Sequence, residues 1–186
     1  AGMLVDIVVN SALLPEIQLE VDRLKSDIES EGYTASISPL TGRTSATNLW
    51  AHLHSKYANG PMAGAILIGN LAAAKTRHYG TNAESGETTD LAYWCMSRFG
   101  WRNYLYAGNG FVQDEHPHDI WVSRIRALSS SGAALPYGSE VTLIRRALNA
   151  NHAARTGASR LPHAAFWNNT FGESDKDLRL ARLAEI

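Results

Sequence analysis

The feature that most constrains the fold is the stretch Gly60-Pro61-Met62-Ala63-Gly64-Ala65-Ile66-Leu67-Ile68-Gly69-Asn70. An apolar run this short, closed by Gly-Pro on one side and Gly-Asn on the other, is too brief for a helix that crosses a domain. It reads as a strand buried on both faces, the kind found in parallel sheets covered by helices. In open α/β sheets, ligands and reacting groups collect outside the carboxyl ends of such strands. The loop leaving Asn70 is therefore the first functional address.

The preceding sequence alternates elements in the way a parallel sheet requires. Leu4 to Val9 is β-branched and apolar with one interruption, and predicts a first strand. Pro15 opens a helix in which Ile17, Val21, Leu24 and Ile28 share one stripe while Glu16, Glu20, Asp22, Lys25 and Glu29 are expected to face water, and Gly32 stops it. Tyr33 to Ser38 has the period-two pattern of a second strand. Thr44 or Ser45 caps a second helix with Leu49, Trp50, Leu53 and Tyr57 on its buried stripe, and Asn59-Gly60 ends it. Strand, helix, strand, helix, strand with short connections predicts right-handed crossovers. The expected fold class is α/β, a small mostly parallel sheet flanked by helices on both faces in a Rossmann-like three-layer arrangement.

From Asn70 to His118 the periodicity disappears into a segment rich in Tyr, Trp, Asn and Gly, which reads as a binding elaboration or as irregular strands. Asp119 to Ile125 predicts a further strand, and Ser139 and Glu140 a helix start, with Val141, Ile144 and Leu148 inward and Arg145, Arg146 and Arg155 outward. The connector from Gly157 to Pro162 is the one candidate boundary: residues 1–156 form an α/β unit and 163–186 begin a second layer or subdomain, a single compact domain being the alternative. In that last part Ala164 to Trp167 predicts a strand, and Ser174-Asp175 caps a helix over Leu178 to Ile186 with no stop signal.

Composition narrows the functional classes. Seventeen basic and eighteen acidic residues give a net charge of -1, which argues against a nucleic-acid footprint. The longest apolar runs fall well short of the roughly 20 residues a membrane-spanning helix needs. The turn after the first strand, Asn10-Ser11-Ala12-Leu13-Leu14, carries no glycine, so the dinucleotide fingerprint is absent, and no P-loop occurs. With one cysteine, Cys95, neither an internal disulfide nor a cysteine-rich zinc site is open to the chain.

The order of landmarks resembles the amino-terminal part of the catalytic region of gingipain-type cysteine peptidases, a secreted bacterial group related in fold to caspases. A strand ending in Gly-Asp in that family looks like Ala65-Ile66-Leu67-Ile68-Gly69-Asn70. A Ser-Asp-x-x-Tyr element looks like Thr89-Asp90-Leu91-Ala92-Tyr93, and a strand of the type Asp-Ile-x-Val-Gly-Arg-Ile looks like Asp119-Ile120-Trp121-Val122-Ser123-Arg124-Ile125. Asn70 and Ser123 stand where the family prefers aspartate and glycine. The family's catalytic histidine lies in a His-Gly pair and its nucleophilic cysteine follows another strand, both downstream of these motifs; this chain has no His-Gly pair and no cysteine after position 95. The resemblance thus implies the front half of such an enzyme, a subdomain or fragment that lacks the chemistry. Its partner would be the missing catalytic subdomain or a peptide substrate. The resemblance alone also implies an extracytoplasmic setting and the option of calcium; no cofactor is read from the residues. A stand-alone binding or homodimerising module, and a small hydrolase built on Cys95, are the alternatives.

Three groups of residues are candidates for a site. Asn70, Asp90 and Arg124 belong to a substrate-binding or structural cleft: Asp90 can fix a turn, and Arg124 near its strand's carboxyl end can anchor an anionic group or pair with a buried carboxylate, the resemblance favouring the structural pairing, with Asp90. Cys95 with His78 is a catalytic option, because an imidazole within reach can take a thiol proton. The apolar setting Tyr93-Trp94-Cys95-Met96 favours an inert buried thiol instead. His116, His118 and Asp119 have the composition of a zinc or nickel site, with Asp114 or Glu115 as further ligands, against a solvated loop ahead of a strand.

Overall fold

A computed structural model describes residues 2–75, 88–96, 119–127 and 135–158. Strands β1 (Leu4–Asn10), β2 (Thr34–Leu40) and β3 (Met62–Ile68) alternate with helices α1 (Leu14–Ser30) and α2 (Ala46–Ala58). A two-residue antiparallel pair, β4 (Ala74–Lys75) and β5 (Thr88–Thr89), leads to a 3-10 turn over Leu91–Tyr93. Strand β6 (Trp121–Ile125) and helix α3 (Tyr137–Arg155) complete the described elements.

Four strands form one sheet in the order β2-β1-β3-β6, and every pairing in it is parallel. The fold is α/β. The run that opened the sequence reading is β3, held between β1 and β6 and buried along almost its whole length. From β1 the chain steps outward to β2, then back across β1 to β3 on the other side. That reversal defines a topological switch point between the carboxyl ends of β1 and β3.

Alternation along the strands divides the core in two. Val5, Ile7, Val9, Ile66 and Ile68 pack against Ile17, Val21, Leu24 and Ile28 of α1 and Val141, Ile144 and Leu148 of α3. On the opposite face Val8, Ala65 and Leu67 meet Leu49 and Leu53 of α2, joined by Tyr93, Met96 and Ile120. Burying each such side chain contributes about 1.5–3 kcal/mol. Two helices therefore cover one face, and α2 with the segment around Tyr93 covers the other.

The local signals explain the boundaries. Pro15 occupies the first turn of α1, where a missing N–H costs nothing. Ser45 is the N-cap of α2, its hydroxyl accepting from the Asn48 N–H at 3.2 Å. Gly32, at φ +93°, supplies the left-handed residue after α1.

Three expectations are corrected. Glu20 is buried rather than solvated, because α3 crosses α1 and Arg145 pairs with it at 3.1 Å. Arg145 is accordingly half-buried rather than outward and also donates to the Glu16 carbonyl, whereas Arg146 and Arg155 do face outward, Arg155 pairing with Glu31. Helix α3 begins at Tyr137 after Pro136, ahead of the expected Ser139, since Pro136 can precede the first turn without a donor. The predicted strand over 164–167 and the final helix lie outside the described residues. No described helix is long and apolar enough to cross a membrane.

Gly64 lies directly beneath the Trp121 side chain, and an added Cβ would meet the indole ring and come within 2.6 Å of the Trp121 carbonyl oxygen. A backbone atom cannot move aside cheaply inside a ladder. Gly64→Ala is expected to destabilise the fold by about 1–3 kcal/mol in urea denaturation, whereas Gly60→Ala, with open space around its Cβ, should differ from the parent by less than about 0.5 kcal/mol.

Candidate functional site

Among the described residues, the carboxyl edge of the sheet is assembled from three loops and the start of α3. Asn10 ends β1, its side-chain oxygen accepting from the Ala12 N–H at 3.1 Å and its amide reaching the Asn70 carbonyl at 3.4 Å. Gly42, after β2, packs against that same Asn10 amide, where an added Cβ would lie 2.9 Å from its nitrogen. Gly69 turns the chain out of β3 at φ +86° and donates to the Ile125 carbonyl at 2.9 Å. Tyr137, at the start of α3, donates its hydroxyl to the Ala12 carbonyl at 2.7 Å. Glu140 stands beside the Asn70 backbone. Burial raises its carboxyl above the usual value, the Asn70 hydrogen bond opposes that, and its Oε1 is buried with no partner among the described residues. The switch point is thus filled by Asn10, with Asn70 exposed at its rim.

Arg124 organises the next layer. It projects from β6 on the α2 face, level with Leu67 in the ladder. Its Nε and Nη2 donate to the two Asp90 carboxylate oxygens, each at 2.8 Å, while Nη1 reaches the Leu71 carbonyl at 2.8 Å and Nη2 the Ala72 carbonyl at 3.0 Å. A planar fork matches a carboxylate at two points, which an ammonium cannot do. The pairing with Asp90 raised from the sequence is therefore present. A guanidinium so engaged has little capacity left for an anionic ligand, so its geometry is that of a staple joining β6, the loop after β3 and the 3-10 turn.

The same turn is fastened at three further points. The Tyr93 hydroxyl donates to the Ala72 carbonyl at 2.9 Å; burial, the largest influence, raises its pKa, with the Arg124 charge opposing and the Asp90 charge adding. Asp119 accepts from the Met96 N–H at 2.6 Å, and the Trp94 carbonyl accepts from the Asp119 and Ile120 N–H groups. Trp50 of α2 donates its indole N–H to the Cys95 carbonyl at 3.0 Å. Asp119, considered from sequence as a metal ligand, here ties the 94–96 segment to the entry of β6. Cys95, in the middle of that segment, is buried at 8 % exposure. His78, His116 and His118 lie outside the described residues, and no group of three metal-ligating side chains occurs among the described ones.

A second cluster escaped the sequence reading. Asp6 is completely buried in the middle of β1, facing α2. It accepts hydrogen bonds from Ser36 at 2.6 Å and Ser38 at 2.8 Å on the neighbouring strand, and His52 Nε2 lies 2.7 Å from its other oxygen, with Lys56 Nζ 3.9 Å away. Burial would raise the Asp6 pKa; the hydrogen bonds from His52, Ser36 and Ser38 and the His52 charge outweigh it and hold the carboxyl below its ordinary value. The signal was a lone aspartate in an apolar strand followed by Ser36 and Ser38 at period two and His52 and Lys56 four apart on a helix. The order of contacts is not that of a hydrolytic triad, since the serines bond the carboxylate and not the imidazole.

Compared with family models, curated proteins and solved structures, the chain matches none.

Removing the fork should unfasten the loops together. Arg124→Met is expected to cost about 2–4 kcal/mol in urea denaturation, because Asp90 and two carbonyls lose their donor. Arg124→Lys should recover only part of that, and a double-mutant cycle with Asp90→Asn should return a coupling of about 1–3 kcal/mol. The depressed Asp6 pKa also fixes a sign. Its contribution is present above the model-compound value of 3.8 and is lost as pH falls through the lower folded value. Asp6→Asn should therefore flatten the acid limb of a stability-versus-pH profile relative to the parent; parallel limbs for the two proteins would show that Asp6 carries no such linkage.

Proposed function

We propose that the chain is a non-catalytic α/β subdomain related to the gingipain-like, caspase-type cysteine peptidases, forming one wall of a cleft whose chemistry is supplied by another subdomain or a later part of the polypeptide. The observation that carries this reading is the Asp90–Arg124 fork. Those two residues belong to two of the three motifs on which the family resemblance rests, and they are far apart in sequence but meet side by side at the carboxyl end of the sheet. An all-parallel sheet with helices on both faces is the architecture that resemblance implies.

The local chemistry supports the wall rather than the reacting centre. Arg124 is committed to protein acceptors, Asn70 offers an amide in place of a carboxylate, and Cys95 is buried within a segment held by Trp50 and Asp119. A nucleophile needs an approach path and a base within hydrogen-bond reach. Among the described histidines, His52 is paired with Asp6, His152 with Asp27, and His54 stacks on Trp50 at 4.8 Å between ring centroids.

The reading frame beyond Ile186 is the direct test. A continuation with one strand ending in His-Gly and another ending in Cys is expected, and the chain as given should hydrolyse no peptide amide and take no label from a peptidyl chloromethyl ketone. A frame that ends at Ile186 removes the fragment reading and leaves a stand-alone binding module. Labelling of native Cys95 by the chloromethyl ketone, together with turnover, would establish the small-hydrolase alternative instead.

A further inference from the structure

Helix α2 is held to the sheet differently from α1. Four apolar side chains of α1 are fully buried, Ile17, Val21, Leu24 and Ile28, and α3 packs on its flank. In α2 only Leu49 and Leu53 are fully buried; Trp50 and Tyr57 are half-buried. Its remaining attachment is polar. His52 and Lys56, one turn apart on its inner face, approach the two oxygens of Asp6, whose carboxylate rests on Ser36 and Ser38. Trp50, from the same helix, grips the Cys95 carbonyl. Elements with few buried apolar contacts open locally before the whole fold does.

We propose that α2 is a releasable cover over the sheet face that carries Cys95, and that the Asp6–His52–Lys56 cluster is its latch. Of the charged and titratable groups in contact with that carboxylate, β1 contributes Asp6 itself, β2 contributes only the neutral hydroxyls of Ser36 and Ser38, and α2 contributes the imidazole of His52 and the ammonium of Lys56. Lifting α2 thus removes both at once and leaves Asp6 to water. The helix ends suit a rigid displacement: Ser45 caps one, and Asn59-Gly60-Pro61 breaks the chain at the other. When α2 leaves, Leu49 and Leu53 withdraw from Tyr93 and Met96, the indole bond to the Cys95 carbonyl breaks, and the thiol becomes accessible. The sheet and the α1–α3 pair are not needed for this step. The device is independent of the peptidase reading.

Native-state alkylation of Cys95 by iodoacetamide tests it, because the chain has no other cysteine. The parent should label slowly. His52→Ala and Lys56→Met should each raise the labelling rate, the double variant by roughly ten- to a hundredfold, with an unchanged far-ultraviolet spectrum. Below the unfolding transition the labelling rate should stay nearly flat in urea, because this opening exposes far less surface than global unfolding. Arg155→Ala, which removes an ion pair between α3 and Glu31 on the other face, should leave the rate at the parent value. The proposal is overturned if the latch variants label no faster than the parent, or if labelling of parent and variants rises with urea as steeply as global unfolding does. Equal acceleration by Arg155→Ala would overturn it too, since opening would then be a property of the whole fold.

Discussion

The guanidinium of Arg124 is the contact on which the carboxyl side of the molecule depends. A strand can bring a side chain to a sheet edge, but the loops beyond that edge have no ladder to hold them. Here Arg124 takes the place of a ladder, with four hydrogen bonds reaching one carboxylate and two successive carbonyls. Charge-assisted bonds in a partly dry setting are roughly twice as strong as neutral ones. The segment after β3 and the turn around Tyr93 are thereby fixed to the sheet and to each other. Tyr93 and Asp119 then add bonds that a floppy loop could not keep aligned.

Asp6 plays the corresponding part inside the sheet, at greater risk. A buried carboxylate costs several kcal/mol to desolvate, and the cost is recovered only if its oxygens are fully bonded. Two serines of β2 and the His52 and Lys56 side chains of α2 meet that condition. The arrangement also selects a register. A one-residue slip of β2 would turn Ser36 and Ser38 away from Asp6 and set apolar groups against it. What the cluster gives up in burial it returns in specificity of strand pairing and helix seat, and the same feature makes α2 the helix most readily separated from the sheet.

The parts legible in sequence are those whose cause is local. The β3 run, the caps of α1 and α2, the Asn59-Gly60-Pro61 break and the inward stripes of α1 and α3 all follow from neighbours within one turn or one strand. Arg124 with Asp90 could be anticipated because a lone charge near a strand's carboxyl end needs a partner. Glu20 could not: its burial depends on Arg145, contributed by a helix more than a hundred residues later, and periodicity alone places Glu20 on the wet side. Asp6 looked like an interruption for the same reason, since its partners come from two other elements, β2 and α2, and none lies within its own strand. The division of helices between faces was likewise a prediction of class only; which helix shares a face with which is decided by packing.

That division has a topological consequence for whatever follows α3. Helices α1 and α3 share a face, and α1 carries the chain from β1 toward β2. Parallel crossovers are right-handed in about 98 % of cases, so a helix on that face moves the chain in the β2 direction. A parallel strand added outside β6 through α3 would need the opposite hand. Edge β2 is already blunted by Pro39, which has no N–H to donate to a neighbour, and β6 carries no proline. Handedness therefore weighs against a fifth parallel strand on β6 delivered by α3, and Pro39 weighs against one on β2. Among the described strands, then, packing and chirality leave neither edge favoured for a parallel strand delivered by α3, and that holds without reference to any family.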